Sequence, residues 1–239
     1  MLDIVNLRDR FTDALKAADG AEDASIRVES DTRTRVGANK EGLSALQQES
    51  DLGGCVRVLV NGRWGFTSFN DLEDLPGKVR EAVALAKLLG PGDVKLAPKP
   101  KVEEIVRSCI ETSPRQIPIH DKVAQVRRYT GLIAGADPQV ANADVQYGDF
   151  HYQRAFCDTQ GSWIVQEKMR VQLYLMAMVP DADGRMQVGG EAVYSLVDAK
   201  VIWDQDRKAE EAVKKGIAIA HAPVVPKGVY PVVVDPDLT

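Results

Sequence analysis

The sequence predicts an α+β fold, a mainly antiparallel sheet with packed helices, on three observations. From Ala24 to Val36 the residues alternate, with Ile26, Val28, Ser30, Thr32, Thr34 and Val36 on one side and Arg27, Glu29, Asp31, Arg33 and Arg35 on the other. That period of two marks a half-buried strand. Two further apolar runs flank Asn61-Gly62-Arg63, where Asn-Gly tolerates the positive φ angles of a tight hairpin. Between the strand-like stretches lie segments whose apolar residues recur at helical spacing and which stop at glycine.

Taken in order, Ile4, Phe11, Leu15 and Ala18 predict a first helix over Ile4–Ala18, ended at Asp19-Gly20. The strand at Ala24–Val36 follows, then the hairpin of Gly54–Val60 and Trp64–Phe69. A second helix spans Asp74–Leu89, where Asp71 and Asp74 suit the positive end, Pro76 fits the first turn, and Val79, Ala82, Val83, Ala86 and Leu89 form a stripe. Pro91, Pro98, Pro100, Pro114 and Pro118 make Gly90–Pro118 a linker-like crossover, with one short strand near Val102–Ile110. A third helix covers Ile119–Ala134 and ends at Gly135.

Beyond Pro138 the pattern is an antiparallel meander: Val140–Phe150, His151–Cys157, Trp163–Val179 and Met186–Leu196. Trp163, Val165, Met169, Val171, Leu173, Leu175, Ala177 and Val179 share one parity and define the core face. A strand of that length implies a bulge or bend. The fourth helix, Gln205–Ala220, has Asp204 and Asp206 at its start and Lys214 and Lys215 near its end, in keeping with the helix dipole. Val229–Asp235 is apolar and predicts a short buried strand.

Composition narrows the function classes. With 44% hydrophobic residues the chain can bury a core. Its net charge of −5 and interleaved acids and bases disfavour direct nucleic-acid binding. No stretch approaches the ~20 apolar residues of a membrane span, and Met1-Leu2-Asp3-Ile4-Val5 lacks the order of a signal peptide, so a cytoplasmic location is expected. Cys55, Cys109 and Cys157 lack metal-ligand or disulfide spacing and read as reduced thiols, mostly core filler.

Searches for catalytic motifs find little. His120, His151 and His221 each lack a histidine or cysteine partner at ligand spacing, so surface or packing roles are expected for all three. No nucleophile elbow, Walker or Rossmann glycine pattern is present; Gly184–Gly190 lies at a strand edge. Asp181 and Asp183 could suggest calcium, but a tight turn explains both. No catalytic or metal residue is assigned in this chain, and the sequence leaves the substrate-binding residues unknown.

Three blocks carry a resemblance. Gly54–Leu72, reading GCVRVLVNGRWGFTSFNDL, resembles the hairpin and following helix start of the TldD/PmbA family. Ala155–Gly161 running into the strand that ends at Val179 is similar to the family's Asn-Ser/Thr-x-Gly hairpin, with Cys157-Asp158 where Asn is usual. Pro226–Pro236 resembles the strand leading into the family's zinc helix.

The resemblance covers the chain in order and spacing. It implies a TldD/PmbA amino-terminal domain over residues 1–225, with 226–239 the start of an absent carboxy-terminal metallopeptidase domain. In the family a His-Glu-x-x-x-His helix and a later cysteine hold zinc, with the glutamate as general base. None of those residues transfers to this chain, which is expected to stop before the motif and to be inactive alone. Zinc is thus implied for the longer parent and no cofactor for these 239 residues.

What the resemblance implies is the substrate-guiding, dimer-forming part of a zinc metallopeptidase, a hydrolase acting in proteolysis on extended or unfolded peptides. The partners would be a peptide substrate and a second subunit, either identical or a family paralogue, with no direct nucleic acid and no membrane. The alternative is a non-catalytic PmbA-like subunit or a protein modulating DNA topoisomerase, in line with the family's older name, modulator of DNA gyrase. The first is favoured because Val232–Pro236 resembles the lead-in of the TldD-like catalytic subunit more closely. The natural substrate and the identity of the dimer partner are not encoded in any motif.

Overall fold

A computed structural model describes residues 4–234. It has the α+β architecture expected: helices α1 (Arg8–Leu15), α2 (Leu75–Leu88), α3 (Ile119–Ala136) and α4 (Asp206–Ala220) pack on one large sheet. Its strands are β1 (Asp23–Asn39), β2 (Gly42–Val60), β3 (Arg63–Phe69), β4 (Glu103–Val106), β5 (Asn142–Asp158), β6 (Trp163–Pro180) and β7 (Met186–Ser195). The order is β3-β2-β1-β5-β6-β4, with β7 also on β6. Every pairing is antiparallel except the short β4–β6 contact. The outer edge of β6 is therefore shared, β4 along Trp163–Gln166 and β7 along Val171–Pro180.

Local chemistry sets the elements. Asn61 and Gly62 take the expected positive φ, +47° and +69°, and close the β2–β3 hairpin in a two-residue turn, with Arg63 already in β3. Asp74 caps α2 by accepting from Gly77 N at 2.8 Å, and Pro76 sits in its first turn. The inward parity of β6 is as read: Trp163, Val165, Met169, Val171, Leu173, Leu175, Ala177 and Val179 are all buried.

Several details differ. The first helix is split, Ile4–Leu7 forming a 3-10 turn and α1 ending at Leu15, after which single turns carry the chain to Gly20. The segments ending at Phe150 and starting at His151 are one strand, β5. No bulge breaks β6, because both neighbours run unbroken registers along it. The irregularity lies instead in the β1–β2 ladder, where Gly37 pairs with Ala45 and Ala38 with Leu43, so that Ser44 of β2 is the extra residue. The crossover strand covers only Glu103–Val106. Cys157 alone is core filler, for Cys55 is half-buried and Cys109 exposed.

The first half of β2, Gly42–Gly53, was not foreseen as a strand. Its residues, GLSALQQESDLG, lack apolar alternation and lie exposed or half-buried, so the ladder with β1, helped by the packing of Leu52 on the core, holds them in place. The expected strand at Val229–Asp235 does not form over 229–234, where Val229 and Val233 are 102% and 98% exposed. An apolar run becomes a strand only against a partner edge, and the contact made here is local, Tyr230 OH donating to Pro226 O at 2.8 Å. Asp235 lies outside the described residues.

All four helices lie on one face. Residues opposite in register share a face, so Ile26, Val28 and Val36 of β1 look towards the helices, as do Ala155, Tyr147 and Val145 of β5. Two clusters form there. One joins α1 and α2 to the β1–β3 end, and the other joins α3 and α4 to β5, β6 and β7. Glycines seat the helices: a Cβ on Gly65 would lie 1.9 Å from Ala82 O of α2, and one on Gly189 2.0 Å from Gly216 N of α4. On the opposite face arginines lie over aromatic rings, Arg57 on Trp64 at 4.3 Å, with Arg154 on Tyr152 and Arg170 on Phe150 each at 4.9 Å.

Candidate functional site

Between the two clusters the helix-facing side of the sheet turns polar. The registers align Leu52, Ser30, Gln153 and Glu167 in one row across β2, β1, β5 and β6, then Ser50, Thr32, His151 and Met169, then Gln48, Thr34, Asp149 and Val171. Positions that carry Ile or Val elsewhere in β1 here carry Ser30, Thr32 and Thr34. Ser30, Thr34, Asp149 and His151 are all buried, between 3% and 5% exposed. A buried polar group costs free energy unless bonded, so each invites an account of its partners.

Asp149 Oδ2 is the centre of one network. It accepts from Lys122 Nζ of α3 at 2.7 Å and from Tyr147 OH at 2.6 Å. Burial, reinforced by the Asp149 carboxylate, pushes the Tyr147 hydroxyl far above its ordinary range, so it remains a donor. The second network holds His151, whose Nε2 lies 2.9 Å from Glu167 Oε1, with Gln153 Nε2 donating to the same oxygen at 3.3 Å. Nδ1 of His151 is buried and has no hydrogen-bond partner among the described residues.

A recess of about 330 Å³ opens onto this strip. Thr32 and Thr34 of β1, Gln48 and Ser50 of β2, Ile117 and Lys122 line it, and Asp149 lies at its floor. Its hydroxyls and amide can donate and accept, and the Lys122–Asp149 pair leaves the floor neutral. The arrangement can hold a polar group in place. It offers no activated nucleophile.

The other sequence candidates lie apart from the strip. His120 is exposed at the start of α3, 3.3 Å from Asp121, and His221 meets Gln139 Oε1 at 2.7 Å beyond α4. Asp181 closes its turn by accepting from the N–H groups of Asp183 and Arg185, both at 2.9 Å, and Gly184 takes φ of +79°. The turn reading of Asp181 and Asp183 holds. Among the described residues no three His, Cys, Asp or Glu side chains converge as metal ligands. His151 and Glu167 alone do not make a zinc site, and no step through zinc is derived for these residues. Sequence reasoning missed the strip. The signal was present in β1, where three consecutive inward positions are hydroxyl residues.

Fold and site together define a domain of one mainly antiparallel sheet with four helices on one face and a buried polar strip beneath them. Comparison with known proteins narrows this. Residues 24–87 match the profile of PmbA/TldA metallopeptidase domain 1. A metalloprotease of Synechocystis sp. is 30% identical over 220 residues, covering 92% of this chain and 47% of its own length. One from Methanothermobacter thermautotrophicus is 29% identical, covering 92% and 48%. In fold, the chain matches the crystal structure of a candidate modulator of DNA gyrase from Thermotoga maritima at a TM-score of 0.74 and 15% identity, over 94% of this chain and 50% of that one. It matches TldE from Thermococcus kodakarensis at 0.66 and 15%, over 88% and 47%. Residues 24–87 thus match the first domain of that family, and the chain shares the fold of the gyrase-modulator and TldE structures. It spans about half the length of the curated relatives it matches.

Proposed function

We propose that this chain is the substrate-guiding, dimer-forming amino-terminal part of a TldD-like zinc metallopeptidase that acts on extended or unfolded peptides in the cytoplasm. One observation carries the reading: 92% of the chain aligns with about half the length of proteins named metalloproteases. The strip of hydroxyl and amide side chains supports it, since such groups bond peptide main chain without demanding particular side chains. On this reading residues 1–225 form the guiding domain and 226–239 lead into a second domain that brings the zinc ligands and general base. The chain alone is inactive because three convergent protein ligands are needed to hold catalytic zinc.

The test is direct. The purified chain, dialysed against chelator and then given zinc, is assayed for bound metal and for cleavage of an unfolded protein, and its mass is measured by sedimentation. The expected result is a dimer without stoichiometric zinc or cleavage. Retained zinc with chelator-sensitive cleavage overturns the inactive-domain reading, and a monomer at high concentration overturns the dimer.

A further inference from the structure

The recess on the polar strip lies where β1 and β2 meet the start of α3, and Ile117, Ile119 and Lys122 bring that helix end to it. Its polar groups are not all satisfied from within the chain. Thr34 is only 4% exposed and lines the recess, and its hydroxyl has no hydrogen-bond partner among the described residues. Lys122 carries three N–H donors, of which one goes to Asp149 Oδ2, the same oxygen that accepts from Tyr147. The remaining N–H groups of Lys122 and the second oxygen of Asp149, Oδ1, have no partner among the described residues, although both side chains are buried. Buried polar groups are normally bonded, so this recess is equipped to receive a donor and an acceptor from outside.

Charge and shape say what kind of ligand fits. The ionic residues around the recess balance, Lys122 against Asp149 at the floor and Arg115 against Glu49 at the exposed mouth, so the site is neutral overall yet charge-separated. A ligand with a net charge would find nothing to offset it, whereas a zwitterion is matched at both ends. The amino end of α3 adds direction. Its N-cap is Pro118 and no side chain caps it, so the first N–H groups and the positive end of the helix dipole favour a carboxylate there. Ile117 and Ile119 give the recess an apolar wall, and its volume of about 330 Å³ is at the small end for ligand pockets. We propose that the recess binds a free aliphatic α-amino acid such as leucine. The carboxylate accepts from the Thr34 hydroxyl and Lys122 at the amino end of α3, the ammonium donates to Asp149 Oδ1, and the side chain lies on Ile117 and Ile119.

The proposal goes beyond the peptidase reading and does not rest on it, since holding an amino acid needs neither metal nor turnover nor a second subunit. The experiment titrates the whole chain by calorimetry with L-leucine, L-leucinamide, N-acetyl-L-leucine and trileucine. L-leucine is expected to bind saturably, one to one, and at least tenfold more tightly than each of the other three, which lack the carboxylate, lack the ammonium, or separate the two ends. Thr34→Val, which keeps the branched shape and removes the hydroxyl, is expected to weaken L-leucine at least tenfold with the parent's circular dichroism retained. Ile117→Ala is expected to narrow the preference for L-leucine over L-alanine at least threefold. No saturation at about 10 mM L-leucine overturns the proposal. So does amide or N-acetyl binding as tight as that of L-leucine, because the charged ends would then not be read. Equal binding of trileucine also rejects it, for the recess would then belong to a peptide path, and so does a folded Thr34→Val with the parent's affinity. Should Thr34→Val fail to fold, Ile117→Ala decides: a narrowed preference supports the recess and an unchanged one places binding elsewhere and rejects it.

Discussion

Lys122 Nζ lies 2.7 Å from Asp149 Oδ2, and the two side chains are only 3% and 5% exposed. This pair joins α3 to β5 at the line where the two apolar clusters meet. Removing one partner leaves a buried charge with too few bonds. Lys122→Ala and Asp149→Ala are each expected to cost about 3–5 kcal/mol, and the double variant clearly less than the sum. Urea unfolding of the four proteins measures this, and single-variant losses below about 1 kcal/mol would reject it.

Acid should loosen the molecule through two other carboxylates. Burial alone would raise Asp158, but Lys99 at 2.9 Å and the Ser162 N–H hold it below the ordinary 3.8. Lys215, against the opposing effect of burial, and Lys208 likewise hold Glu191 below 4.5. A depressed folded pKa gives stability that is complete above the unfolded value and is lost as pH falls through the folded one. Melting temperature should therefore drop as pH falls below about 4, and less steeply in Lys99→Met. Parallel curves for parent and variant would contradict this.

Two neighbouring glycines should differ sharply. Gly189 faces α4, and an added Cβ would lie 2.0 Å from Gly216 N and 2.2 Å from Ala212 O, whereas at Gly190 the nearest atom is Met176 Cγ at 4.0 Å. Gly189→Ala is expected to destabilise by about 1–3 kcal/mol or more, and Gly190→Ala to be neutral or slightly stabilising. Thermal melts separate the two, and equal effects would mean that α4 does not sit as described.

Val233→Asp is expected to change stability by no more than about 0.5 kcal/mol, since Val233 is 98% exposed. A buried strand at this place would instead lose several kcal/mol on accepting a carboxylate. A melting temperature lowered by ten degrees would restore the sequence-based expectation.

What could be read from the residues follows from where burial is one-sided. Ile26, Val28 and Val36, or the long inward row of β6, advertise their face because one side meets helices and the other water. Gly42–Gly53 advertises little, being exposed along most of its length, so its strand character comes from pairing that no local pattern encodes. Val229–Val234 errs the other way, apolar in text but without an edge to join. The polar strip needed β2, β1, β5 and β6 laid side by side. Ser30 and Gln153 are far apart in sequence and adjacent only in register.

The central pairing of the sheet has a consequence for synthesis. Asn39 meets Asp144 and Ser25 meets Asp158, partners roughly a hundred residues or more apart. On a ribosome moving at about 5–20 residues per second, β1 waits on the order of 5–20 s for β5 to emerge. Throughout that wait Val36 and Ala38 lack nearly all of their cluster, whereas Ile26 and Val28 lack Ala155, Cys157, Trp163 and Val165. Loop closure of that length is slow even when unhindered, so the nascent amino-terminal half has a long interval in which to aggregate or be held by a chaperone.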